Sequence, residues 1–120
     1  AFDAARDLPA ALEQVIELGC QRVLTSGGQV SAEAGAEVLA GLVTQSAGRI
    51  TVMAGAGLGP ANIAAVARRS GCAELHASAK GLRRSAMQFQ NPALRGLDPD
   101  WNQTSTATVA ALRQALDGAR

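Results

Sequence analysis

The residues best suited to chemistry in this sequence stand where short apolar runs give way to glycines. Thr25 and Ser26 close the run Arg22-Val23-Leu24 and lead into Gly27-Gly28. Met53 and Ala54 close Ile50-Thr51-Val52 and lead into Gly55-Ala56-Gly57, while His76 and Ser78 close Ala73-Glu74-Leu75, with Lys80 just beyond. Asp3 follows Ala1-Phe2 in a comparable position. His76 is the only histidine. Its imidazole suits a general acid or base or a soft-metal ligand, and it serves equally well as a hydrogen-bonded structural residue. Met53 offers a thioether for Cu(I), although methionine in a strand also fills core space. The hydroxyls of Ser26 and Ser78 could bond a ligand, but their spacing builds no Ser/His/Asp arrangement. A glycine-rich turn such as Gly55-Ala56-Gly57 before a helix aims backbone N–H groups at the positive end of the helix dipole, an anion site. The same glycines also satisfy a tight turn, and they do not complete a dinucleotide-binding fingerprint.

These residues need elements to hold them, and the pattern supplies an alternation. Leu8, Leu12, Val15 and Ile16 form one apolar helical face from about residue 8 to 18, with Asp7 as N-cap, Pro9 in the first turn and Gly19 as the stop. A strand over 22–26 follows. Ser31 opens a second helix striped by Val38, Leu39, Leu42 and Val43, and Gly48 closes it. The strand over 50–54 is almost wholly apolar, which predicts cover on both faces. Pro60 opens a third helix whose buried side is Ile63, Val66 and Ala67, and Gly71 ends it before a strand over 73–77. Residues 79–103 read as irregular and polar, with Pro92 and Pro99, and a loop of that length is usually functional or mobile. Thr104 or Ser105 caps a terminal helix over about 106–117, with Val109, Leu112 and Leu116 inward.

Strict alternation means βαβ units on a parallel sheet. The segment Gly19–Ser26 echoes Gly71–Ser78 at an interval of 52 residues, two βα units apart. Even repetition of this kind predicts a TIM-barrel-like α/β fold, of which residues 1–120 form a single carboxy-terminal partial barrel. A complete barrel takes about 250 residues, so three strands, with a fourth stub at Ala1-Phe2-Asp3, leave it open. In such folds ligands bind at the carboxyl ends of the strands, which selects Asp3, Thr25, Ser26, Gly55, Ala56, Gly57, His76 and Ser78 as ligand-binding candidates, and His76 with Met53 as metal candidates. Cys20 and Cys72 fall at the opposite pole on alternate strands, roughly 9–10 Å apart. That is too far to share an ion at about 2.3 Å from each sulfur, so both read as buried structural thiols.

Composition narrows the function. The net charge of +1 lacks the dense basic face of a nucleic-acid binder. Arg68-Arg69 and Arg83-Arg84 read as solvated surface. No apolar run approaches the roughly 18–20 residues of a membrane span, and Ala1-Phe2-Asp3, leading straight into a helical pattern, is not expected to belong to a signal peptide. Two cysteines without CxxC spacing fit a reducing, cytoplasmic setting. With only three aromatic residues, Phe2, Phe89 and Trp101, the core must be built from aliphatic side chains.

The quoted segments, in order and at matching spacing, resemble the copper homeostasis protein CutC family. Ala1-Phe2-Asp3 is similar to the end of its HRAFD segment, Leu24–Gly28 to RVLTSGG, and Met53–Gly57 with Asn62-Ile63 to its MPGGG or MAGGG turn. Leu75–Ala79 is similar to its HxSA strand, and Ser85-Ala86-Met87 with Asn91-Pro92 to its later loop. The resemblance implies a TIM-barrel-like cytoplasmic protein that handles copper and forms homo-oligomers. There are departures. The family is about twice this length, and the cysteines usually invoked for copper lie in the half not matched, so Cys20 and Cys72 do not inherit that role. Ala56 replaces a glycine, Phe89-Gln90 replaces Tyr-Arg, and Ser105-Thr106 stands where an acidic residue is usual. The expected ligand is therefore a copper ion or a small anionic molecule. The alternative function is a barrel enzyme acting on a small phosphorylated or anionic substrate.

Overall fold

A computed structural model describes residues 1–119. The chain folds as a 3-10 turn (Phe2–Ala4), α1 (Leu8–Glu17), β1 (Arg22–Thr25), α2 (Ala36–Ser46), β2 (Thr51–Ala54), α3 (Ile63–Ser70), β3 (Glu74–Leu75), β4 (Lys80–Arg83), β5 (Trp101–Thr104) and α4 (Thr106–Asp117). The first three strands make a parallel sheet in the order β1-β2-β3, the last two an antiparallel pair. In the parallel sheet Val23 lies opposite Val52 and Thr25 opposite Ala54, and Met53 lies opposite Glu74. This is a mixed α/β fold of successive βα units.

Local chemistry sets the helix ends. Asp7 accepts a hydrogen bond from the Ala10 N–H at 3.0 Å and caps α1, and Ser105 does the same for α4 from Thr108 N at 3.3 Å. Ser31 does not begin α2. Its Oγ accepts from Ala34 N at 3.1 Å and its carbonyl from Gly35 N at 3.0 Å, closing a turn that delays the helix to Ala36. Gly35 is required there for another reason. A Cβ on it would lie 1.9 Å from the Ser26 carbonyl oxygen, so backbone meets backbone where β1 ends and α2 begins.

Helices cover one face of the sheet. Leu12, Leu39, Leu42, Val66 and Cys72 pack on Val23, Val52 and Ala54. The other face carries Arg22, Leu24, Thr51, Met53 and Glu74, all partly or largely exposed. β2 is therefore covered on one side within this chain, not on both as its apolar sequence predicts. Arg22 reaches across that open face to Glu74 in a two-point ion pair, through Nε to Oε2 and through Nη2 to Oε1 at 2.8 Å.

Three further expectations are corrected. Ala1-Phe2-Asp3 is no strand stub, since Phe2–Ala4 forms a 3-10 turn. Residues 79–103 are not wholly irregular, because Lys80–Arg83 pairs antiparallel with Trp101–Thr104, setting Leu82 opposite Asn102 and Arg83 opposite Trp101. On α4, Leu112 is buried and Leu116 half-buried, but Val109 is exposed, because this helix packs mainly against α3 and buries a narrow stripe. The molecule measures 56 × 34 × 23 Å with a radius of gyration of 17.6 Å, well above the roughly 14 Å of a compact domain this size.

Candidate functional site

All the ligand-binding candidates lie at the carboxyl ends of the parallel strands, in two clusters. The first is centred on Asp3. Its carboxylate accepts from the Thr25 hydroxyl, from Ser26 N at 3.0 Å and from Gly28 N at 2.9 Å. Gly27 and Gly28 both take positive φ, 71° and 70°. This curls their amides into an anion-binding concavity of the kind phosphates occupy elsewhere. Here the anion is the protein's own. Partial burial pushes the Asp3 carboxyl up, but the hydrogen bonds from Thr25, Ser26 and Gly28 outweigh that and hold it below the ordinary carboxylate value. Thr25 Oγ1 in turn accepts from Gly27 N at 2.9 Å, and Ser26 Oγ donates to the Gln29 carbonyl at 2.7 Å. With its hydrogen-bonding capacity spent inside the fold, this cluster works as a latch between the 3-10 turn and the β1 end.

The second cluster is open. A groove of about 650 Å³ is lined by Ala56, Gly57, His76, Ser78 and Lys80, with Thr108 from α4. The strand ladder runs on past β2 and β3, through Gly55 N to Thr25 O at 3.0 Å and His76 N to Ala54 O at 2.8 Å, and so fixes the groove floor. Ala56 stands at φ 84°, a left-handed conformation that costs a non-glycine residue energy. It is held there by a hydrogen bond from Ala32 N to its carbonyl at 3.0 Å. Asn62 rivets the rest of the turn: Oδ1 accepts from Gly59 N at 2.9 Å, and Nδ2 donates to Gly57 O at 3.0 Å and to Glu33 Oε2 at 3.1 Å. The helix-dipole picture of the Gly55–Gly57 turn needs revision, because α3 starts only at Ile63 and the amides of Asn62 and Ile63 already bond the Gly59 carbonyl. The positive charge at this groove comes from the Lys80 ammonium instead.

Sequence reasoning did not assign a part to Asn62 or Thr108. An Asn just before a helix is a recognisable turn-former, whereas Thr108 arrives only because the β4/β5 arm returns the chain to the groove. Gly55 is buried behind the groove and Met53 half-buried on the open sheet face. Among the described residues no three His, Cys, Asp or Glu side chains gather as a metal site. Cys20 and Cys72 precede β1 and β3, at the pole away from His76. Cys72 is buried and Cys20 is exposed, which corrects the reading of both as buried. Burial pushes the Cys72 thiol up, against hydrogen bonds from Ser70 and Ala54 that pull the other way. No helix among the described residues is long and apolar enough to cross a membrane.

The family model described as the CutC family matches residues 1–81. A Chromobacterium violaceum protein named as a family protein CutC is 50% identical over 124 residues, covering 99% of this chain and 50% of its own length. Proteins of the same name from Xanthomonas axonopodis pv. citri and Pasteurella multocida are 44% and 41% identical, over 99% and 98% of this chain and 50% of their own lengths. The chain thus spans about half the length of the curated relatives it matches, and it belongs to the CutC family.

Proposed function

We propose that the chain is the carboxy-terminal part of a cytoplasmic, TIM-barrel-like copper homeostasis protein that takes its ligand at the carboxyl ends of the strands and works as a homo-oligomer. The observation that carries this reading is the family match over residues 1–81, which takes in the whole groove lining except Thr108. Cu(I) favours soft thioether and imidazole donors, and Met53 and His76 come from neighbouring strands. These two donors do not by themselves make a copper centre. In this reading the remaining donors belong to the rest of the longer protein. The test is Cu(I) affinity by competition with a chromophoric chelator, on this chain and on a chain of the relatives' full length. Tight binding by the longer chain that is weakened at least tenfold by His76→Ala and unchanged by Cys20→Ser supports a copper site at the strand ends. Equal affinity of wild type and His76→Ala removes it.

A second reading, an enzyme or binding protein for a small phosphorylated or anionic molecule, is favoured by one specific feature. The groove lining contains Lys80, His76 and two hydroxyls but no carboxylate. A lysine ammonium among neutral hydrogen-bonding groups suits an anion. Titration with inorganic phosphate, followed by amide chemical shifts, should perturb Gly57, Ser78 and Lys80 and weaken as salt rises. Shifts unaltered by Lys80→Ala would refute this reading.

A further inference from the structure

The arm between Ala79 and Ser105 has exposed chemistry that the groove does not use. Its root is tied to the body by Ser105 N donating to Ala79 O at 2.9 Å and Thr104 Oγ1 to Ser78 O at 3.2 Å. Beyond the root it has almost no support. The two paired strands are four residues each, and an isolated two-stranded ribbon is marginal in water. From residue 84 to 100 no residue is buried. Yet six of the eleven exposed large hydrophobic side chains among the described residues lie in the arm. Leu82, Met87, Phe89, Leu94, Leu97 and Trp101 are each between 50% and 76% exposed, and four of them, Met87, Phe89, Leu94 and Leu97, line a groove of about 900 Å³. A long exposed apolar segment of this kind normally marks an interface.

We propose that the arm is the surface through which two copies of this chain associate, each arm laid against the other about a twofold axis. Three observations select a second copy as the occupant. The six side chains expose roughly 700 Å² of apolar and aromatic area, close to the about 800 Å² that each partner contributes to a standard interface. The arm carries both signs of charge, Arg83 and Arg95 against Asp98, besides Arg84 and Asp100, which pair with each other within it at 3.7 Å. A twofold-related copy can therefore set an acid opposite a base, and the net charge of +1 leaves little long-range repulsion between copies. Met, Phe and Trp are also the side chains enriched at interface cores. This surface gives the expected homo-oligomer a location, and it stands whether or not the protein binds copper.

Trp101 is the only tryptophan, so its fluorescence reports on the arm alone. The experiment follows Trp101 emission and acrylamide quenching against protein concentration on the 120-residue chain, with sedimentation velocity in parallel. The expected result is a blue shift and protection from quenching that rise together with the dimer fraction. In Phe89→Ser/Leu97→Ser both should move to at least tenfold higher concentration with the far-ultraviolet circular dichroism unchanged. A second variant, with residues 86–99 replaced by a Gly/Ser linker, should behave alike. Trp101 protection independent of concentration would mean that the arm folds on its own chain and would overturn the proposal. So would a dimer in which Trp101 stays open to quencher, since association would then run through the sheet edges, and so would a monomer at every concentration.

Discussion

Removing the charge of Asp3 tests the latch at the end of β1 most directly. In Asp3→Asn one carboxylate oxygen becomes an NH₂ donor that must face another donor. Turned the cheaper way, it keeps the bonds from Thr25 and Gly28 and confronts the Ser26 amide, whose bond to Asp3 is 3.0 Å in the wild type. Ser26 is buried, so its N–H gains little from water. A buried donor left unsatisfied costs about 1–3 kcal/mol, and the two remaining bonds lose their charge assistance. Asp3 itself is open to solvent, which holds the total to about 2 kcal/mol at pH 7. The pH dependence has a definite sign. The folded-state value of Asp3 is depressed below its ordinary 3.8, so the stabilisation is complete above the unfolded value and disappears as pH falls through the folded one. Urea unfolding of wild type and Asp3→Asn should therefore differ by a constant amount from pH 7 to about 5 and converge below about 4. A difference under about 0.5 kcal/mol at pH 7, or one that persists undiminished in acid, would refute the latch.

Gly35→Ala should cost more than about 3 kcal/mol in urea unfolding, because its Cβ meets the Ser26 carbonyl with backbone on both sides, whereas Gly41→Ala, facing open space within α2, should gain about 0.5–1 kcal/mol. Ala56→Gly should raise the thermal midpoint by relieving the positive φ, a gain of up to about 1 kcal/mol. A maleimide should label Cys20 at least about 100-fold faster than Cys72, with Cys72 reacting only on unfolding, as mass spectrometry of tryptic peptides would show.

Features that the sequence made legible were local or periodic. Asp7, Pro9 and Gly19 bracket α1, Leu39, Leu42 and Val66 mark the helix faces that pack on the sheet, and Ile63 marks the side of α3 that meets Leu112 of α4. Alternation made the parallel order readable. The failures have physical causes. Ser31 looks like a helix cap, but the approach of Gly35 to Ser26 places a turn first. The β4/β5 pairing joins Arg83 to Trp101 across an intervening loop, with no two-residue turn signal to announce it. For the candidate groove, the rule that ligands gather at strand ends singled out Gly57, His76 and Ser78, which lie together along its lining. It could not reveal that the Asp3 carboxylate fills the Gly27-Gly28 concavity, which depends on a fold-level contact between residues 25 apart.

The open sheet face poses the sharpest question about the rest of the molecule. Arg22 and Glu74 meet there across Thr51, both partly in water. Exposed pairs of this kind contribute little, so Glu74→Gln should move the urea midpoint of this chain only slightly. In the barrel reading the remaining strands close over this same face in the longer protein, and the pair enters a dry interior. Removing one partner then leaves a guanidinium buried without its counter-charge, among the most destabilising changes a fold can suffer. The same substitution in a chain of the relatives' full length should therefore lower the midpoint several-fold more than in this one. A substitution without effect at either length would mean that the face stays wet and that the parallel sheet does not close into a barrel over it.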